Sequence, residues 1–243
     1  MIPKIIHYCW FGRGKMPEIV ISCMASWHKF LPEYELILWN EDNFPFDDFP
    51  FAQEALASKK YAFVSDVCRL YALYQYGGVY LDTDVEVLGR LDAFLNHAAF
   101  SGFEDNKSVP TGIMASTQFG QWAKDMLAYY DNRSFIDKQG NMNTQTNVQI
   151  ISELMVEKGI VLNNTYQEIP NYITFYPSDF FCPKSHLDGK IRRTANTIVI
   201  HHFAGSWLSK SAKRKMKMKQ FIRSLVGNSI VDKIKKRIGT KRT

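Results

Sequence analysis

Long hydrophobic runs are missing from this sequence. Apolar stretches such as 5–6 and 197–200 fall far short of the roughly 20 residues a membrane-spanning helix needs. Cysteine is scarce: Cys9, Cys23, Cys68 and Cys182 share no CxxC spacing, which excludes a zinc ribbon or a disulfide frame and fits reduced thiols in a cytosolic protein. Glycine (14) and proline (9) stand at ordinary levels, so collagen-like and linker-type chains are excluded. Met1-Ile2-Pro3-Lys4 runs directly into an expected strand, without the layout of a secretory leader. What is present is a chain of 243 residues, 46% hydrophobic and 22% charged, enough for one domain of ordinary size with a sizeable core, or one domain with an appendage.

The net charge of +6 hides a division. Of the 30 Lys+Arg and 24 Asp+Glu, 13 basic residues and one acid lie in 208–243, giving that stretch +12 and the first 207 residues −6. An acidic body is a poor general binder of nucleic acid, and the basic tail is a separate electrostatic device. Within the tail, Met218, Phe221, Ile222, Leu225, Val226, Ile230, Ile234 and Ile238 recur at three- and four-residue steps, with a break expected near Gly227-Asn228. An aliphatic stripe among lysines suits an anionic membrane surface better than nucleic acid; a helix packed on its own domain is the plainer alternative. The expected division is therefore a domain over 1–207 and a basic amphipathic tail over 208–243.

Along 1–207 the pattern alternates. Strands are expected at 4–10, 35–39, 79–81, 98–102, 112–115, 160–162, 172–176 and 197–202, and helices at 22–30, 51–58, 65–76, 118–130 and 147–158. Ser65 is the expected N-cap of the third helix and Gly77-Gly78 its stop. Such alternation implies an α/β domain with a mixed sheet.

The most informative stretch is Gly77-Gly78-Val79-Tyr80-Leu81-Asp82-Thr83-Asp84. An apolar strand runs into two aspartates at i, i+2, which extended backbone would point to one side. Carboxylates so close repel unless a cation sits between them, and such oxygen ligands suit Mg²⁺ or Mn²⁺. A bare Asp-x-Asp is more often the solvent face of an edge strand; the buried lead-in is what sets this one apart. On the preceding helix, Asp66 and Arg69 share a face at i, i+3, either as a surface ion pair or as groups that reach donor hydroxyls and phosphates.

The run Phe63-Val64-Ser65-Asp66-Val67-Cys68-Arg69-Leu70-Tyr71, followed by Gly77 to Asp84, closely resembles the DxD sugar-binding glycosyltransferases of family 32. These include bacterial capsule and lipopolysaccharide transferases and fungal mannosyltransferases, with the clostridial glucosylating toxins more distant. The opening Ile2-Pro3-Lys4-Ile5-Ile6-His7-Tyr8-Cys9-Trp10-Phe11-Gly12 and the closing His202-Phe203-Ala204-Gly205-Ser206-Trp207 resemble the same family.

The resemblance implies a GT-A type nucleotide-diphospho-sugar transferase fold, a Mn²⁺ or Mg²⁺ cofactor and retention of anomeric configuration. It implies a UDP- or GDP-linked sugar donor and a glycan acceptor, lipid-linked, in capsule, exopolysaccharide or lipopolysaccharide synthesis on the cytoplasmic face of the membrane. On this chain Asp84 then matches the direct metal ligand, Asp82 a ligand through water or a partner for hydroxyls, and His202 the C-terminal ligand. Asp66 and Arg69 match the donor-sugar positions, Trp10 the aromatic against the base, Tyr80 the same region, and Ser206 and Trp207 the diphosphate contacts. Asn147 is a sugar-contact candidate. His201 is expected to face away from His202's side, and His7 to be a satisfied core histidine. Two other classes stay open: a haloacid-dehalogenase-type phosphatase with Asp82 as nucleophile and Asp84 as acid/base, and a non-enzymatic membrane adaptor.

Overall fold

A computed structural model describes residues 1–109, 112–205 and 210–226 of the chain. Its strands are β1 Ile5–Cys9, β2 Glu35–Trp39, β3 Gly78–Leu81, β4 Val85–Val87, β5 Ala99–Gly102, β6 Ile113–Ser116, β7 Gln167–Ile169, β8 Ile173–Tyr176 and β9 Val199–His201. Its helices are α1 Glu18–Phe30, α2 Pro50–Ala57, α3 Tyr61–Tyr76, α4 Gln121–Ala128, α5 Asn147–Glu157, α6 Ser178–Phe181 and α7 Lys210–Val226. Seven strands form one mixed sheet in the order β2-β1-β3-β6-β5-β8-β7, and β4 pairs with β9 apart from it.

The central strands are apolar at successive positions because each sheet face has its own core. Val79 and Leu81 join Ile6, Tyr8 and Trp27 in one cluster, while Tyr80 joins Cys9, Trp39 and the α2 and α3 side chains Phe51, Val64 and Leu73 in the other. From β1 the chain passes through α1 to β2 on one side, then returns through α2 and α3 to β3 on the other; both pairings with β1 are parallel. The carboxyl ends of β1 and β3 thus flank the point where the strand order reverses, the crevice in which open α/β sheets bind ligands.

Three expectations change. First, α3 starts at Tyr61, one turn before the expected cap, and Ser65 sits inside it with Oγ donating to Tyr61 O at 3.1 Å. Asp66 therefore projects from the helix body. Second, 160–162 is not a strand; the edge is Gln167–Ile169 instead. Third, Asp82 and Asp84 do not lie in extended chain. Val85 N donates to Asp82 O at 3.0 Å, closing a turn that hands the backbone from β3 to β4. Upstream, Gly78, whose φ of +105° and 2.7 Å approach of a would-be Cβ to Ile5 O admit only glycine, lets β3 lie beside β1.

His7 is the satisfied core histidine the sequence implied. Trp39 Nε1 donates to His7 Nδ1 at 3.1 Å, so Nε2 carries the proton and donates to Gly77 O at 2.7 Å. Burial drives its pKa from 6.5 down to about 4, with the Gly77 carbonyl opposing. A histidine depressed in the fold stabilises fully above its unfolded pKa and loses that contribution as pH falls from 6.5 toward about 4. The loss should reach about 3 kcal/mol at most. Urea unfolding across this window should show a steeper fall for the native chain than for His7→Gln, which keeps both hydrogen-bonding roles without titrating.

Candidate metal and nucleotide-sugar site

A cleft of about 860 Å³ opens at the switch point. Its walls include Cys9 at the end of β1, Trp10 and Gly12 after it, Tyr61, Asp66 and Arg69 from α3, and the turn Asp82-Thr83-Asp84.

The acids are held by different elements. Tyr80 O–H donates to Asp82 Oδ1 at 2.8 Å, and Arg69 Nη2 stands 3.3 Å from Asp82 Oδ1 and 3.3 Å from Asp66 Oδ1. The Arg69 guanidinium also lies 4.7 Å over the Tyr80 ring. Arg69 is thus a buried bridge between helix and turn, not a surface ion pair. Tyr80 borders the cleft but is itself buried, so it acts by fixing Asp82 and Arg69. Burial pushes the Asp66 carboxyl up to about 6 against the pull of Arg69. Asn147 N donates to Asp66 Oδ2 at 3.3 Å and Asn147 Nδ2 to Tyr130 O–H at 3.0 Å, while Asn147 Oδ1 is buried without a partner. A buried amide group with spare capacity at a cleft wall suits a hydroxyl-rich ligand. The Thr146 capping box, with Gln149, starts α5 at this position.

On the other side stands a histidine the sequence reading set aside. The structure brings His201, not His202, to the aspartates: His201 Nε2 lies 3.3 Å from Asp84 Oδ1 and 3.8 Å from Asp82 Oδ2. His202 Nε2 instead meets Glu86 Oε2 at 2.8 Å. Neighbouring residues of a strand point to opposite faces, so only one of the two could serve, and the β4–β9 register decides which: Val85 faces His201 and Glu86 faces Ile200. A motif aligned by sequence alone could not resolve a one-residue choice at a strand end. Gly112 makes room for the ring, since a Cβ there would stand 2.7 Å from His201 Nδ1, and its carbonyl accepts from Asp82 N at 2.8 Å.

Asp84 is further fixed by Ala204 N, which donates to Oδ2 at 2.6 Å from a segment in which Phe203 takes a φ of +53°. Burial alone would raise the Asp84 carboxyl, but His201 and the amide of Ala204 outweigh it and hold it at about 2. Burial likewise opposes charge on His201, yet Asp84, Cys182 and Asp82 keep its pKa well above the ordinary histidine value. An imidazolium and a divalent cation are alternative counter-charges for the same two carboxylates.

Ligand atoms of Asp82, Asp84 and His201 all fall within 4.8 Å of one another. Two carboxylate oxygens and an imidazole nitrogen fit a Mn²⁺ or Mg²⁺ that completes its shell with other oxygens, the nitrogen favouring Mn²⁺. Trp10 lies at the cleft edge with Nε1 donating to Gly14 O at 2.6 Å. Ser206 and Trp207 lie outside the described residues. Glu104, which the sequence does not single out, and His186, which it marks only as a surface or loop residue, rim the cleft as a 2.6 Å ion pair.

Two substitutions separate the histidines. His201→Ala should weaken the Mn²⁺-dependent rise in melting temperature by at least about tenfold in apparent metal affinity, while His202→Ala leaves it unchanged. Gly112→Ala should reproduce the first result by displacing the ring. Titrating Mn²⁺ in a thermal-melt assay reads all three; equal losses for the two histidines would refute the assignment.

Curated relatives include inositol phosphoceramide mannosyltransferase 3 of Schizosaccharomyces pombe, 34% identical over 116 residues, 46% of this chain and 31% of that protein. A mannosyl phosphorylinositol ceramide synthase of Saccharomyces cerevisiae is 32% identical over 117 residues, 46% of this chain and 30% of that one. The chain thus spans about a third of the length of the curated relatives it matches. Among solved structures, the PaToxG glycosyltransferase superposes with a TM-score of 0.50 at 16% identity, over 65% of this chain and 69% of that one. The likeness is one of fold, the GT-A glycosyltransferase fold with its central mixed sheet. The family model for capsular polysaccharide synthesis proteins matches residues 1–145, and with the family 32 pattern at 63–84 inside that match, the chain belongs to this family.

Proposed function

We propose that the protein is a metal-dependent, retaining glycosyltransferase that moves a hexose from a UDP- or GDP-linked sugar to a glycan acceptor. One observation carries this reading: an Asp82–Asp84–His201 ligand set and a buried Asp66–Arg69 pair face one cleft at the sheet's switch point. Asp82, Asp84 and His201 would hold the cation, which supplies positive charge for the donor's diphosphate and for the charge that grows there as the glycosidic bond breaks. Asp66 and the Asn147 Oδ1 accept hydrogen bonds from sugar hydroxyls. Arg69 keeps Asp82 and Asp66 apart yet compensated, and lends its charge to the phosphate side of the cleft. Trp10 offers an aromatic edge to the base.

The haloacid-dehalogenase alternative needs Asp82 free to attack; its Oδ1 is tied to Tyr80 and Arg69, which favours a holding role. Since the curated relatives are named for mannose transfer, mannose donors come first in a donor screen. The reading extends to bacterial capsule, exopolysaccharide or lipopolysaccharide synthesis with a lipid-linked acceptor, from a peripheral cytoplasmic position. Support for the membrane part is the +12 charge of 208–243, of which 208–209 and 227–243 lie outside the described residues. No helix among the described residues is long and apolar enough to cross a membrane.

A panel of GDP- and UDP-sugars with Mn²⁺ tests the reading by thermal melting. At about 100 times Kd a binder should add about 2.7 kcal/mol, a rise of about 5–10 °C for a domain of this size. The rise should vanish without metal and in Asp84→Ala. Asp66→Asn should keep the metal response and lose the preference for the sugar nucleotide over the bare nucleotide. Silence from every nucleotide at saturating Mn²⁺ would return the protein to the phosphatase or adaptor class.

A further inference from the structure

The sheet edge that carries the cleft carries a second cavity. β3 runs parallel to β1 and antiparallel to β6, β6 runs antiparallel to β5, and β5 runs parallel to β8. The carboxyl ends of β1, β3, β5 and β8 therefore share one edge. The cleft opens at the first two. Beyond the other two lies a polar cavity of about 660 Å³, walled by the segment after β5, by α6 and by nearby loops. In the strand order β5 stands two spacings from β3, about 10 Å.

The two cavities meet. Glu104, two residues beyond β5, walls both, and its side chain is only 13% exposed. Its pairing with His186 holds the carboxylate at the junction. Cys182, buried in the wall of the second cavity, interacts with His201 of the metal-ligand set. A ligand that fills this cavity and reaches past Glu104 enters the cleft.

The lining suits hydroxyl groups. Asp179 Oδ2 accepts from Thr194 Oγ1 at 2.8 Å and from Asn196 Nδ2 at 3.1 Å. Asp105 Oδ1 accepts from Lys107 N at 2.8 Å and from Ser108 Oγ at 3.2 Å. Each carboxylate is thus fixed through one oxygen and keeps lone pairs for a ligand. Asn164 Oδ1 accepts from Ser178 N at 2.7 Å, which leaves its Nδ2 to act as a donor. Charge selects among ligands. The carboxylates of Glu104, Asp105 and Asp179 stand against the cations of Lys107 and Arg192, and Arg192 is already bonded to Asp188 at 2.6 Å. That balance disfavours a phosphate or a nucleotide and favours an uncharged polyhydroxyl ligand.

We propose that this cavity is the acceptor subsite and takes an uncharged glycan, whose terminal hexose lies against Asp105, Asn164 and Asp179 while Glu104 accepts a hydrogen bond from the hydroxyl that enters the cleft. The inference deepens the glycosyl-transfer reading and rests on it for the ligand's role as acceptor; sugar binding itself stands on the cavity.

The test is saturation-transfer NMR on the full chain, with methyl α-mannoside, methyl β-galactoside and methyl β-glucoside as probes. Mg²⁺ with UDP or GDP is added to occupy the cleft. At least one hexoside should bind. Glu104→Gln and Asp179→Asn should each weaken that binding by about tenfold or more, the loss expected when a hydrogen bond to a charged group is removed. Circular dichroism checks that both variants fold. In the native chain the bound hexoside should slow amide exchange over 104–108 and 178–182 by about twofold or more, and leave 61–66 unchanged. This map decides alone if a variant does not fold. Silence from every hexoside, native affinity in both variants, protection at 61–66 in place of 104–108 and 178–182, or displacement of the hexoside by inorganic phosphate would each overturn the proposal. Nucleotide melts of the native chain keep the two readings apart, since they report on the cleft and the exchange map reports on the cavity.

Discussion

Everything at the cleft depends on compensating two carboxylates that stand two residues apart in one turn. Asp82 and Asp84 sit largely out of water, where like charges repel strongly and solvent screens them little. The structure answers with positive charge and donors from four directions: Arg69 from α3, Tyr80 from β3, His201 from β9 and the Ala204 amide beyond it. Each lies on a different element, so the site exists only when the sheet, α3 and the β4–β9 pair are assembled together. An isolated Asp-x-Asp peptide would have none of this.

The scaffold explains why those elements meet there. Two cores sandwich the sheet, and the crossing of the chain from β2 back past β1 to β3 leaves a crevice that helix packing cannot fill. Small residues then do the fitting. Gly78 lets β3 lie against β1, and Gly112 lets an imidazole stand where any side chain would collide. Trp27, whose Nε1 donates to Val85 O at 2.7 Å, ties α1 to β4 and so fixes the far end of the acidic turn.

Charge is organised on a larger scale as well. An acidic domain with a basic helix folded against it makes a molecule with two poles, and the helix lies where the cleft opens. Short-range contacts such as Gln220 to His186 set the helix in place.

The sequence by itself determined the α/β class, nearly every central strand, the Gly77-Gly78 stop and the grouping of Asp66, Arg69, Asp82 and Asp84, because local periodicity and a dense motif record those directly. It also identified His7 as core. Helix starts slipped: α3 begins at Tyr61 because a serine inside a helix can bond the carbonyl four residues back as readily as it can cap. The choice between His201 and His202 was beyond it, since strand register decides which neighbour faces the acids, and register is set by pairing with β4, more than a hundred residues away in the chain. The pairing of Glu104 with His186 was equally invisible, since the two lie in separate loops with no shared pattern. Tertiary structure alone decided these, because contacts between distant segments are selected by packing and not by the residues on either side of them.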